Sequence, residues 1–148
     1  MVKYINKLAF LLLFAMVTVS CAKEVDESDR SVQQRILDSF VELHCPNAIV
    51  KESGLVILDY VQGTGDTLDK MEAGYFEFSN KSLSGDYSET TDEELAKRLG
   101  WFSNSNYYGP SFFDVGYEST YAGIEEAVTG LQVGGKVQFI MPPWLSYT

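Results

Sequence analysis

The stretch GIEEAVTGLQVGGKVQFIMPPWLSY, which spans residues 123–147, decides the fold of this chain. Its first six residues have the composition of a short helical turn, and Gly130 closes that turn. Residues 136–141 then alternate apolar side chains with others, as a strand with one apolar face does. The stretch therefore predicts a short helix, a glycine turn and a strand that runs into a Pro-Pro pair.

Two further strands are predicted upstream. Residues 55–61 are rich in β-branched and aromatic side chains, and the glycine-rich segment 63–66 ends them as a turn. Residues 75–80 alternate so that aromatic side chains fall on one face, which is typical of a half-buried strand.

Two segments predict helices outside the opening stretch. In residues 31–46 the apolar residues recur at a spacing of three and four, and Ser31 opens a capping box. Thr91 opens a second capping box before residues 95–99. With the strands, these helices predict an α+β protein.

Composition excludes several functional classes. The chain has 148 residues, enough for one domain and a short appendage. Its net charge of −10 argues against nucleic acid as a partner, because a polyanion would be repelled. One His and two Cys leave too few ligands for a structural zinc site and make a His-based catalytic relay hard to build.

The motifs occur in the order and spacing of a known family. Four elements together resemble the FK506-binding-protein family of peptidyl-prolyl isomerases across residues 54–148: Gly54-Leu55, Gly63-Thr64-Gly65, the segment 123–135 and the run at 141–147. The resemblance implies a twisted antiparallel sheet wrapped on a short helix. It also implies an aromatic pocket that receives a proline side chain and needs neither cofactor nor metal.

Carried onto this sequence, the resemblance implies a pocket built from Phe78, Glu89, Phe113, Tyr121, Ile124 and Tyr147. Phe78 and Phe113 would line it, and Ile124 stands where the family has a Trp floor. Tyr121 would offer its backbone N–H to a ligand, and Tyr147 would hydrogen-bond a ligand carbonyl. Glu89 falls where the family prefers Asp. The alternative for each aromatic residue is simple core packing.

The N-terminus predicts export. In residues 1–20 a basic segment precedes an apolar run shorter than the roughly 20 residues that span a bilayer, as in a signal peptide. The Ser-Cys pair ending at Cys21 resembles a bacterial lipobox, which implies a lipid anchor in the cell envelope, periplasmic or surface-exposed. The alternative is a Cys21–Cys45 disulfide in an oxidising compartment. Residues 21–30 predict an acidic, solvated tether.

The resemblance also bears on the other end of the chain. In the family, a glycine, a loop and a closing strand follow the position of Tyr147, whereas this sequence stops at Thr148. We therefore expect a domain that is incomplete at its C-terminus and lacks its last strand. The open sheet edge would favour self-association.

The sequence leaves three functions open. The resemblance predicts an isomerase that assists folding of exported proteins by acting on their proline-containing segments. The alternative is a non-catalytic peptide-binding or chaperone module, which holds extended peptide in the aromatic cleft and on the loop around Tyr107 and Tyr108. A third hypothesis is a folded spacer domain without a ligand.

Overall fold

A computed structural model describes residues 29–69, 72–116 and 121–146 and confirms an α+β protein. Three α-helices lie in these ranges: α1 (Arg30–His44), α2 (Glu93–Leu99) and α3 (Ala122–Val128). The strands of the same ranges are β1 (Ile49–Val50), β2 (Val56–Val61), β3 (Ala73–Phe76), β4 (Ser79–Lys81), β5 (Tyr87–Thr90), β6 (Ser111–Asp114) and β7 (Lys136–Ile140). A 3₁₀ turn, Pro143–Leu145, follows β7.

The strands of the described ranges form three antiparallel sheets, whereas the sequence predicts one. The largest sheet has the order β1-β2-β7, and β3–β6 and β4–β5 form two-stranded ribbons. In the largest sheet Val56 lies opposite Ile140 and Val61 opposite Lys136, with an irregularity between Ile57 and Asp59. The predicted strands at 55–61 and 136–141 therefore meet as neighbours.

The main core lies between the β1–β2–β7 sheet and α3. Leu55, Ile57 and Ala127 are buried there, and side chains from β7 and the following turn pack against them. Leu55 is fully inaccessible to solvent. Burying such a side chain contributes about 1.5–3 kcal/mol, so this layer supplies much of the domain's stability.

Close backbone packing joins the two glycine turns that flank the core. The N–H groups of Thr64 and Gly65 both donate to the carbonyl of Val133, at 3.2 and 3.1 Å. Gly63 has a φ of +85°, and a Cβ on it would lie 2.5 Å from the backbone nitrogen of Gly135. Only glycine fits here, because the position needs both a left-handed conformation and the space of a missing side chain.

Helix α1 begins one residue before the predicted start and has a different cap. The carboxylate of Asp29 accepts a hydrogen bond from the backbone N–H of Ser31 at 2.7 Å, so Asp29 rather than Ser31 is the N-cap. The helix ends at His44, ahead of Pro46. It buries Leu37, while Leu43 stays 76% exposed.

Trp144 contacts both helix α1 and the chain that enters β2. Its indole Nε1 donates to the carbonyl of Ser53 at 2.8 Å, and the guanidinium of Arg30 lies 4.9 Å from its ring centroid. A Cβ on Gly54 would lie 2.7 Å from the same ring, so Trp144 packs directly on the backbone that enters β2. The start of α1 is therefore anchored to the turn that follows β7.

The predicted export signals fall mostly outside the described residues. The signal peptide at 1–20, Cys21 and most of the predicted tether belong to this part of the chain. Cys45, the alternative partner of Cys21, carries a free and partly buried thiol. No helix in residues 29–69, 72–116 or 121–146 is long and apolar enough to cross a bilayer.

Candidate functional site

The β3–β6 ribbon separates four aromatic side chains onto two faces. Gly74 lies opposite Phe113 and Tyr75 lies opposite Phe112. Because side chains alternate along a strand, Phe76 and Phe113 share one face and Tyr75 and Phe112 the other. We call these the inner aromatic face, Phe76 and Phe113, and the outer aromatic face, Tyr75 and Phe112.

The inner aromatic face is a partly buried apolar corner. The ring centroids of Phe76 and Phe113 are 5.6 Å apart and the ring planes meet at 79°, an edge-to-face contact. Such a pair contributes about 0.5–1.5 kcal/mol beyond the area it buries. Gly74 has no side chain opposite Phe113, and a Cβ there would lie 3.0 Å from the Phe76 ring. The missing side chain leaves Phe113 uncovered by its cross-strand neighbour.

The outer aromatic face is exposed. Tyr75 and Phe112 retain 72% and 59% of their accessible surface, and their ring centroids are 5.6 Å apart. Both faces thus carry aromatic rings, but the inner rings are more buried than the outer ones. Phe76, which pairs with the predicted Phe113, was not among the predicted site residues. The aromatic alternation along residues 75–80 was the signal that could have found it.

Phe78 does not lie on the β3–β6 ribbon, contrary to the strand predicted over residues 75–80. Its N–H donates to the hydroxyl oxygen of Thr91 at 2.9 Å, and its carbonyl accepts the N–H of Thr91 at the same distance. These bonds draw the chain out of β3 after Phe76 and into the β4–β5 hairpin. The Phe78 side chain is left exposed.

Thr91 is buried, and its hydrogen bonds to Phe78 were not predicted from the sequence. It was predicted to cap α2, but Asp92 is the cap, and its carboxylate accepts the N–H of Leu95 at 3.0 Å. The Thr91 hydroxyl also approaches the Phe78 carbonyl at 3.3 Å. Thr91 and Asp92 are both residue types that cap helices, so the sequence left the N-cap of α2 open. Thr91 instead bonds to Phe78, 13 positions away, and Asp92 caps the helix.

Glu89 lies on the same hairpin as Phe78. It belongs to β5 and pairs with Asn80, and it is exposed. Asn80 lies two residues after Phe78, so strand alternation puts Phe78 and Glu89 on one side of the hairpin. The structure therefore groups these two predicted site residues away from the ribbon that carries Phe113.

Tyr121 and Ile124 lie together in the first turn of α3. The carbonyl of Tyr121 accepts the N–H groups of Ile124 and Glu125 at 3.0 and 3.1 Å, which makes Tyr121 the N-cap. Ile124 is partly buried and Tyr121 is exposed. A Cβ on Gly123 would lie 2.5 Å from Cγ of Met141, so this glycine lets the helix sit closely on the chain that leaves β7. Tyr147 lies outside the described residues.

A cavity of about 480 Å³ opens beside α3. Its lining residues are Ala122, Glu125, Glu126 and Thr129, and none of the predicted site residues that the structure describes is among them. In the part of the chain that the structure describes, no three His, Cys, Asp or Glu side chains come together as a metal site. The five predicted site residues that the structure describes therefore lie on three parts of the fold: Phe113 on the ribbon, Phe78 and Glu89 on the β4–β5 hairpin, and Tyr121 and Ile124 at the start of α3.

No family model matches the chain, and no curated protein matches it. The likeness to the FK506-binding proteins therefore rests on the order of motifs in residues 54–148 and stays a prediction.

Proposed function

We propose that the chain is a peptidyl-prolyl cis–trans isomerase of the FK506-binding-protein type, acting on proline-containing segments of exported polypeptides. The motif order in residues 54–148 supports the proposal. So does the α+β arrangement, in which a short helix, α3, packs beside an antiparallel sheet. The observation that carries it is the inner aromatic face, because two perpendicular rings beside a glycine form an apolar corner for a flat pyrrolidine ring.

The reaction suits a site made of aromatic side chains. Rotation about an Xaa-Pro bond faces a barrier of about 18–20 kcal/mol, because amide resonance is lost when the bond twists. The twisted amide is less polar than the planar one, so an apolar surface favours it over the ground state. Lowering the barrier by about 4 kcal/mol accelerates rotation a thousandfold.

Each residue would have a limited task in this mechanism. Phe76 and Phe113 would hold the pyrrolidine ring by packing, and the rest of the bond would rotate against them. Ile124 would supply an apolar floor from α3. By resemblance, Tyr121 and Tyr147 would donate hydrogen bonds to ligand carbonyls, which steadies the carbonyl that moves during rotation.

An isomerisation assay on a short Xaa-Pro peptide tests the proposal, with the full chain kept in a mild detergent. We expect acceleration in proportion to protein concentration. Tyr147→Phe removes one hydroxyl donor and should lower kcat/KM about tenfold, which corresponds to about 1.4 kcal/mol. Wild-type protein that gives no acceleration at any concentration would reject the enzyme.

The alternative is a module that binds proline-containing peptide without accelerating its isomerisation. It is favoured by Ile124, which replaces an aromatic floor, and by Phe78, which the hydrogen bonds to Thr91 hold on the β4–β5 hairpin. Saturable peptide binding without acceleration would support this alternative. If the protein neither accelerates isomerisation nor binds peptide, both functions are rejected and a folded spacer domain without a ligand is the remaining hypothesis.

We also propose a lipid anchor at Cys21 that holds the domain at a membrane of the cell envelope. The Ser-Cys lipobox pattern supports it. Expression in a bacterial host, with separation of membrane and soluble fractions, tests it. Cys21→Ser should move the protein to the soluble fraction, and Cys45→Ser should leave it on the membrane. Equal behaviour of the two variants would contradict the anchor.

A further inference from the structure

The segment between α2 and β6 differs in chemistry from the rest of the chain. Residues 99–113 contain no Asp, Glu, Lys or Arg, although these types make up 22% of the sequence. The loop 101–108 within it, which we call the aromatic loop, exposes three large rings. Trp101 and Tyr107 retain 43% and 75% of their accessible surface, and Phe102 is also exposed.

Internal contacts hold the rings of Phe102 and Tyr108 in place. The rings of Phe102 and Tyr108 stack at 5.5 Å with an interplanar angle of 19°. The Tyr108 hydroxyl accepts the N–H of Ser103 at 3.1 Å and donates to the carbonyl of Trp101 at 3.4 Å. Tyr107 folds back so that its hydroxyl would lie 3.3 Å from a Cβ on Gly109. Phe102 and Tyr108 are therefore ordered before any ligand arrives, which lowers the entropic cost of binding.

The ends of the aromatic loop are tied to neighbouring elements. The N–H of Trp101 donates to the carbonyl of Ala96 in α2 at 2.9 Å, and the N–H of Gly109 donates to the carbonyl of Thr91 at 2.8 Å. The ammonium group of Lys97 lies 5.3 Å from the Phe102 ring centroid. Glu93 and Glu94 each contact that ammonium group at 2.8 Å, so the nearby positive charge is already neutralised.

We propose that the aromatic loop binds a neutral oligosaccharide. Ring faces that stand in solvent can stack against the flat C–H surface of a sugar ring, and this contact needs no enclosed pocket. The exposed side chains of Asn104, Ser105 and Asn106 lie between the rings in sequence and offer donors and acceptors for sugar hydroxyls. A loop without charge offers nothing to a charged glycan, and the acidic chain would repel an anionic one.

An extended polypeptide is the competing ligand for such a surface. Its affinity comes from side chains that enter desolvated pockets, from strand pairing, or from Pro-rich segments that dock in an aromatic-lined groove. The aromatic loop is not a strand, and it presents exposed rings beside amide and hydroxyl groups. These features favour the sugar. The proposal is independent of the isomerase function, because the site uses none of the residues assigned to it.

Calorimetric titration of the full chain with cellohexaose, maltohexaose and mannohexaose tests the proposal. We expect at least one of them to bind with a Kd of roughly a millimolar or below, which corresponds to about 4 kcal/mol or more. Binding should not change as NaCl is raised, because no charges pair. Trp101→Ala and Tyr107→Ala should each weaken binding about tenfold or more, whereas Tyr75→Ala removes an equally exposed ring elsewhere and should leave it unchanged.

Several results would overturn the proposal. One is the absence of binding by all three hexasaccharides; another is binding that survives both loop substitutions. Binding of a reduced, carboxymethylated polypeptide that is lost in Trp101→Ala, without any sugar binding, would assign the loop to peptide instead. Circular dichroism of each variant checks the fold, and Trp101→Phe, which keeps a ring, should retain more affinity than Trp101→Ala.

Discussion

The start of β2 and the β3–β6 ribbon bury large apolar residues to different extents. Leu55 and Val56, where the chain enters β2, are fully buried, and Leu55 belongs to the core that includes Ala127 of α3. In the ribbon, Tyr75 and Phe112 are mostly exposed, and the inner aromatic face is only partly covered. A contiguous exposed apolar patch often marks a binding site. We infer that the buried start of β2 contributes to stability and that the ribbon supplies candidate binding surface.

The largest effect should come from emptying the sheet's core. Leu55→Ala removes a fully buried side chain and should lower the free energy of unfolding by about 2–5 kcal/mol, measured by urea denaturation. Leu43→Ala is the matched control, because the same change on an exposed position should cost less than about 0.5 kcal/mol. Similar losses in both variants would break the comparison.

Next come the glycine turns that join the sheet. Gly63→Ala combines a left-handed φ with a backbone clash and should destabilise by about 3 kcal/mol. Gly134 has nearly the same φ, +82°, but nothing lies within 4 Å of its added Cβ. Gly134→Ala should therefore cost only about 1 kcal/mol. If thermal unfolding ranks them equally, close packing of the turns is not what stabilises this region.

An intermediate effect should follow from loosening the hairpin next to the ribbon. Thr91→Val leaves the Phe78 N–H without its hydroxyl acceptor and should cost about 1–3 kcal/mol in urea denaturation. Thr91→Ser keeps the hydroxyl and should cost less. The reverse order would show that the methyl group of Thr91 matters more than its hydrogen bonds.

These residues also show how far the sequence predicts the structure. The strands at 55–61 and 136–141 and the helix after Gly123 could be predicted, because apolar periodicity and glycine turns are local signals. The strand at 75–80 was wrong in part, because Thr91 takes both backbone groups of Phe78. A hydrogen bond between distant residues leaves no periodic trace in a sequence.

Contacts between distant residues also limit how much of the candidate site the sequence predicts. Phe113 could be named from motif order and Phe76 from the aromatic alternation of residues 75–80, but their contact depends on the β3–β6 register, which sets Gly74 opposite Phe113. That register follows from side-chain packing across strands rather than from local propensity. The exposed rings of the aromatic loop could be located in sequence, but their stacking could not.

The smallest effect concerns α1, outside both regions. Hydrogen bonds from Ser31 to the carboxylate hold the pKa of Asp29 below its ordinary value of 3.8. A lowered folded-state pKa means that the contribution is present above the unfolded pKa and is lost as pH falls through the folded one. Helical circular dichroism should therefore decline slightly between about pH 5 and pH 2. Asp29→Asn keeps an acceptor that does not titrate and should reduce that decline; an identical decline would contradict the cap's role.

The central claim is that the inner aromatic face, not aromatic surface in general, receives proline. Phe112 and Phe113 are adjacent residues on opposite faces of β6, so they form a matched pair. The decisive measurement is the catalysed cis–trans exchange of an Xaa-Pro peptide by NMR, with the full chain and both alanine variants. Phe113→Ala should lower kcat/KM about tenfold or more, and Phe112→Ala should change it less than about twofold. Equal losses in the two variants, or exchange in the wild type no faster than in free peptide, would contradict the claim.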